Sequence, residues 1–170
     1  MKIISSYAVE LKHTSKIFYP TIKIYQRAVS FCVSVFDSEW SAIGLLTGKS
    51  RNNYAERLIH STKSNQAKYS EFDKQFSKFP SYLRRSVISV ALGHLQSYYS
   101  NLENWLNSKQ TAKKPTLQVN LNQLPTFYKD NTYDGSLMNA DIVRLKLFVN
   151  NDWIWVPFTN LSENAQLFNY

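Results

Sequence analysis

Leu83, Val87, Val90/Ala91, Leu95, Tyr98, Leu102 and Trp105/Leu106 recur every three or four residues between Pro80 and about Ser108. That spacing predicts one unbroken amphipathic helix, which at 1.5 Å per residue is roughly 40 Å long. A rod of that length must bury its stripe against another element. A matching surface lies upstream, where Tyr25, Ala28/Val29, Cys32, Val35/Phe36, Trp40 and Ile43 fall on one face of a second expected helix, from about Pro20 to Leu46. Pro20 suits a first helical turn, and Gly44 and Gly48 supply stops. A shorter helix is expected over Asn52 to about His60, with Tyr54 and Leu58 turned inward. Residues 61–78 are polar apart from Tyr69, Phe72 and Phe76, and read as a loop or short helix.

On either side of this helical block the texture is β. Tyr7, Val9 and Leu11 alternate with Ala8, Glu10 and Lys12, which predicts a strand within residues 3–12. After the helix-breaking Lys113-Lys114-Pro115, Leu117, Val119 and Leu121 alternate, and 124–129 reads as another short strand. Residues 142–158, IVRLKLFVNNDWIWVPF, form a hairpin pattern around a tight Asn-Asn-Asp turn. A two-stranded ribbon is marginal alone in water, and a lone first strand needs a partner. The economical fold is therefore α+β: a small antiparallel, β-barrel-like domain built from both chain ends, 1–15 and 113–170, with a helical domain inserted over 16–112 on two long helices.

Composition narrows the chemistry. Apolar content of 44% and aromatic content of 15% exclude a wholly disordered chain. The four glycines form no phosphate-cradling loop. Cys32 is the only cysteine, so no internal disulfide and no Cys-x-x-Cys site can form, and a reducing compartment is expected. Met1 to Ser5 is too short an apolar run for a secretory signal, and the greasy stretch Ala28 to Leu46 carries Asp37 and Glu39. A soluble, cytoplasmic protein without a membrane partner is expected. The acids are scattered, with Glu71 and Asp73 close together in a polar loop, and His13, His60 and His94 lie far apart. No catalytic site, metal site or cofactor is expected from this pattern.

The charge is regional. Of 20 Lys/Arg against 12 Asp/Glu, a net +8, most of the excess falls in 16–112, and it is densest from Lys49 to Arg85. A one-sided basic field suits a polyanion, because each cation near a phosphate releases a condensed counterion. The phosphate-contact candidates are Lys49, Arg51, Arg57, Lys63, Arg84 and Arg85, with Lys12, Lys113, Lys114 and Lys129 as a second set. Tyr54, near Arg51 and Arg57, and Tyr128, beside Lys129, are candidates for base stacking. A solvated helical surface, or a face that docks an acidic partner protein, accounts for the same charge.

The order of segments resembles the N-terminal half of the TnpB/OrfB proteins encoded by insertion sequences, relatives of type V CRISPR effectors. YAVELK (7–12) is similar to that family's opening strand, and FPSYLRRSVISVALGHLQSYYSNLENW (79–105) to its second long helix. KKPTLQVN (113–120) and FYKDNTY (127–133) resemble the return into its sheet, and RLKLFVNNDWIWVPF (144–158) its lysine-bearing, tryptophan-rich hairpin. The resemblance implies a wedge-like β-barrel interrupted by a helical recognition domain, which together hold a structured guide RNA and double-stranded target DNA. In that family cleavage comes from a following RuvC-type domain with metal-binding carboxylates and a four-cysteine zinc element. The sequence reaches Leu167-Phe168-Asn169-Tyr170 before any counterpart of those parts, so the expectation is a nucleic-acid-binding module, not an enzyme. A stand-alone regulator on the same scaffold remains the alternative.

Overall fold

A computed structural model describes residues 15–108, 113–137 and 142–159. The expected strand within 3–12, and Lys12 with it, lies outside the described residues. The described residues divide into two compact units, one from 15–21, 127–137 and 142–159, the other from 22–108 and 113–126.

The helical unit is organised by the stripes. Helix α1 spans Tyr19–Ser38, α2 Trp40–Ile43, α3 Gly48–Ile59, α4 Glu71–Gln75 and α5 Ser81–Asn107. Tyr25, Ala28, Val29, Cys32 and Phe36 on α1 are buried, as are Leu83, Val87, Ala91 and Leu95 on α5. Tyr25 and Ser86 share a buried hydroxyl–hydroxyl hydrogen bond of 2.8 Å, which satisfies both groups in the interior. The single helix expected from Pro20 to Leu46 is broken at Glu39 (φ −105°, ψ 10°). The reason is local: Ser38 Oγ donates to the Val35 carbonyl at 2.7 Å, a back-bond that bends helices, and the Glu39 carboxylate is drawn aside by Lys68 Nζ and the Tyr69 hydroxyl, each at 2.5 Å. The aromatics of 61–78 are not isolated. Phe72 and Phe76 are buried at 0% and 3% exposure, with ring centroids 4.9 Å apart, and Phe31 of α1 and Phe79 join them.

Residues 113–126, expected to open the β domain, instead belong to the helical unit and pair with no strand. Their alternation is genuine as burial, with Leu117 and Val119 half-buried and Gln118 and Asn120 exposed. The neighbour is a helix: Pro115 to Gln118 line a small concavity with His94, Ser97, Tyr98 and Asn101 of α5. A period of two reports which side is covered, not whether a ladder covers it. The stretch 124–129 forms only an isolated bridge at Lys129.

In the other unit β1 (Tyr133–Asp134), β2 (Ile142–Val149) and β3 (Asp152–Thr159) form an antiparallel sheet in the order β1-β2-β3. Among the described residues it is an open sheet and not a closed barrel. Asn150 and Asn151 make the hairpin turn with φ of 50° and 62°, the left-handed pair whose twist matches antiparallel strands; asparagine tolerates this region better than most side chains. The register pairs Val143 with Phe158, Leu145 with Val156 and Lys146 with Trp155. That places Val143, Leu145, Leu147, Val156 and Phe158 in one buried cluster, covered by Ile17, Phe18, Phe127 and Tyr133. Phe18, in a 3-10 turn over Ser15–Phe18, stacks on Phe158 at 5.4 Å. Beyond the short β1, the buried Thr21 takes over the edge of β2, its Oγ1 accepting the Phe148 N–H at 2.9 Å. The ribbon's partners here are the 3-10 turn and the first turn of α1.

Candidate nucleic-acid interface

The densest basic stretch of the sequence folds so that α3 lies on α5. On α3, Lys49, Asn52, Asn53, Glu56 and Arg57 repeat every three or four residues, the polar counterpart of the buried Ala55, Leu58 and Ile59, and His60 follows as the C-terminal cap. Two concavities open along this line. One, of about 630 Å³, is lined by Lys49, Asn52, Asn53 and Glu56 of α3 and Arg85 of α5. The other, of about 470 Å³, is lined by Asn53, Glu56, Arg57, His60 and Arg84, and closed by Thr62, Ser64 and Asn65 of the following loop. They share Asn53 and Glu56, so the two form a common polar depression.

Of the sequence candidates, this depression gathers Lys49, Arg57, Arg84 and Arg85. Arg84 and Arg85 diverge as neighbours on a helix must. Arg84 turns inward, its side chain 11% exposed, with Nε donating to Glu56 Oε1 at 3.1 Å. Arg85 is exposed, its guanidinium 5.3 Å from the Tyr82 ring centroid, a distance at which cation and ring attract. Arg57 is exposed and donates through Nε to Asn65 Oδ1 at 3.3 Å. Asn65 Nδ2 donates back to the Arg57 and His60 carbonyls, fixing the loop against the end of α3.

The other candidates are placed elsewhere. Arg51 is a structural residue: Nε donates to the Leu46 carbonyl at 2.6 Å, Nη1 to Gln96 Oε1 at 2.8 Å and Nη2 to the Gly44 carbonyl at 3.3 Å. It also lies 5.8 Å over the Trp40 ring, so each of its three nitrogens is engaged within the protein. Tyr54 is half-buried and does not line the depression, and Lys63 is exposed on the loop after α3. Lys113 and Lys114 are exposed, Lys114 reaching over Trp105 at 5.6 Å. Tyr128 and Lys129 belong to the sheet unit, in the tight loop where the Tyr128 carbonyl accepts from Thr132 and Tyr133.

Sequence spacing alone did not show what stands beside the cations. His60 and Asp73 are hydrogen-bonded at 2.8 Å between Nδ1 and Oδ1, and Asp73 Oδ2 accepts the Ser61 N–H at 2.9 Å. Glu56 lies in the last turn of α3 and His60 is its C-terminal cap, with extended backbone (φ −124°, ψ 121°), four residues on; both line the same concavity. That i, i+4 pair is the signal a reader of the sequence has available; Asp73 carries none, because it arrives from α4. Among the described residues no group of three or more His, Cys, Asp or Glu is placed to hold a metal ion. Cys32 is fully buried, and burial pushes its thiol far above the ordinary value, consistent with packing and not reactivity.

The sheet unit carries a smaller cationic feature. Lys146 lies 5.7 Å over Trp155, which is 38% exposed, on the face opposite the buried cluster. Arg144 on that face pairs with Asp134, whose carboxyl is held below its usual range by the Ser136 backbone N–H first, and by Arg144 after it.

Fold and surface together define an α+β protein with a cationic helical face. The chain belongs to the Aq_aa04 family, whose profile matches residues 5–149, from the expected first strand to the end of β2. No curated protein and no solved structure matches it. Among the described residues no helix is long and apolar enough to cross a membrane.

Proposed function

We propose that this protein is a nucleic-acid-binding module of TnpB-like type, holding a structured RNA and, through it, double-stranded DNA. The observation that carries the reading is the convergence of Lys49, Arg57, Arg84 and Arg85 on one depression between α3 and α5, with Glu56 as the acid among them. Flexible and guanidinium cations around a groove lined by Asn52 and Asn53 suit a phosphodiester chain, with these two exposed amides open to base edges. A duplex would be held here through backbone shape and charge, with pairing to the RNA supplying sequence. In this proposal the first strand joins the sheet of the hairpin and closes the barrel, and the protein works in the cytoplasm.

Two measurements test it. Sequencing the nucleic acid that co-purifies with the protein should return one RNA from one locus; a random mixture would reduce the reading to generic polyanion affinity. A salt titration of the purified complex should give a slope of log affinity against log salt steeper than about −2. A shallower slope would mean that the gathered cations do not meet phosphates.

A further inference from the structure

The smaller depression holds more than a phosphate grip needs. Its wall combines a carboxylate (Glu56), an imidazole (His60) and two guanidiniums (Arg57 and Arg84) within about 470 Å³. The acid and the imidazole are partly withdrawn from water, with side-chain exposures of 25% and 28%. Each arginine is anchored through Nε, Arg84 on Glu56 and Arg57 on Asn65, which leaves the terminal amino groups to face a ligand. His60 is oriented too. An ionised carboxylate can only accept, so Nδ1–H of His60 donates to Asp73 Oδ1. Nε2 is then the nitrogen that exchanges a proton with a bound molecule.

These are the parts that phosphodiester transfer needs without a metal: a base, an acid and fixed positive charge for the pentacoordinate phosphorus. We propose that this corner cleaves RNA by transesterification, with Glu56 as general base and His60 as general acid, an inference that rests on the RNA-binding reading above. Glu56 takes the proton of a ribose 2′-hydroxyl as O2′ forms its bond to phosphorus. The P–O5′ bond breaks, and the imidazolium of His60 delivers its Nε2 proton to the departing O5′. The products are a 2′,3′-cyclic phosphate and a free 5′-hydroxyl. Water then opens the cyclic phosphate with the two roles exchanged, which returns both residues to their starting protonation. Arg57 and Arg84 stabilise the charge on the non-bridging oxygens, and Asp73 is a positioning residue that fixes the ring. The reaction consumes a 2′-hydroxyl, so DNA is bound but not cut.

The test uses the full chain, a single-stranded RNA oligonucleotide of mixed sequence and excess EDTA, with RNA affinity measured on the same preparation. The expected result is cleavage unaffected by EDTA, fragments ending in 2′,3′-cyclic phosphate by mass spectrometry, and no cleavage of the all-2′-deoxy or 2′-O-methyl oligonucleotide. H60Q and E56Q should each lose at least about 100-fold in rate while still binding the oligonucleotide; E56Q retains an acceptor for Arg84 and guards against misfolding of H60Q. D73N should lower kcat with little change in KM. RNA that is bound but left intact overturns cleavage and leaves the binding reading standing, whereas RNA that is not bound sinks both. Cleavage that persists equally in H60Q and E56Q marks a contaminating ribonuclease and overturns the proposal.

Discussion

The guanidinium of Arg51 donates to the Leu46 and Gly44 carbonyls and to Gln96 Oε1, tying the turn after α2 to α5. Arg85, in the same basic stretch, touches only the Tyr82 ring among its described partners and stands in solvent. The two cations are equivalent in a charge count and opposite in role, which gives a paired prediction. R51K replaces a planar fork by a point charge that cannot span three acceptors, and should cost about 1–3 kcal/mol in urea unfolding. R85A should leave stability within about 0.5 kcal/mol but weaken RNA binding and make the salt slope shallower by about 0.7–1. The reverse outcome, binding lost with Arg51 and stability lost with Arg85, would reassign both. Charge density located the face from sequence; which cations were free to use it depended on acceptors at Gly44, Leu46 and Gln96, and backbone carbonyls leave no mark in a pattern of side chains. The same limit hid the His60–Asp73 contact, whose members come from two elements.

At the scale of elements, legibility followed periodicity. The α5 stripe gave a helix from about Pro80 to Ser108, and the observed Ser81–Asn107 differs by a residue at either end. The hairpin was equally plain, because a period of two on both sides of an Asn-Asn turn has few other solutions. Residues 113–126 misled for the opposite reason: their alternation is one of burial, with no ladder beside it. Glycine makes the element picture testable. Gly93 sits in the interior of α5, exposed, and a Cβ added there would meet open space. G93A should therefore stabilise the protein by about 0.5–1 kcal/mol, through reduced freedom of the unfolded chain and better helix propensity. Gly48, the first residue of α3, has φ of +52°, so G48A should destabilise instead despite equally open surroundings. Thermal or urea unfolding of the two variants reads the contrast directly; a gain at Gly48 would mean that the start of α3 is wound differently.

For the whole molecule, the acid and alkaline limits of stability come from different bonds. The Glu39 carboxyl is held below its ordinary value by the hydrogen bond from Lys68 first and that from Tyr69 second. A depressed carboxyl stabilises the fold fully above its unfolded pKa, about 4.3 for glutamate, and the contribution is lost as pH falls through the lower folded value. The net charge of +8 adds self-repulsion as further carboxylates are protonated. Tyr99 acts at the other end. Burial, and then the bond from its hydroxyl to Asp37 Oδ1 at 2.7 Å, push the phenol up from 10.0 to about 12. A raised group has the opposite sign: its stabilisation is complete below pH 10.0 and disappears as pH rises through about 12. The ring also stacks on Trp40 with centroids 5.0 Å apart, so Y99F keeps the stack and removes the titrating hydroxyl together with its bond to Asp37. Stability measured by urea unfolding between pH 8 and 12 should fall less steeply in Y99F than in the parent, and E39Q should be the flatter of its pair only below about pH 4.3. Crossed effects, with Y99F altering the acid limb or E39Q the alkaline one, would show that these two hydrogen bonds are not what bounds the fold in pH.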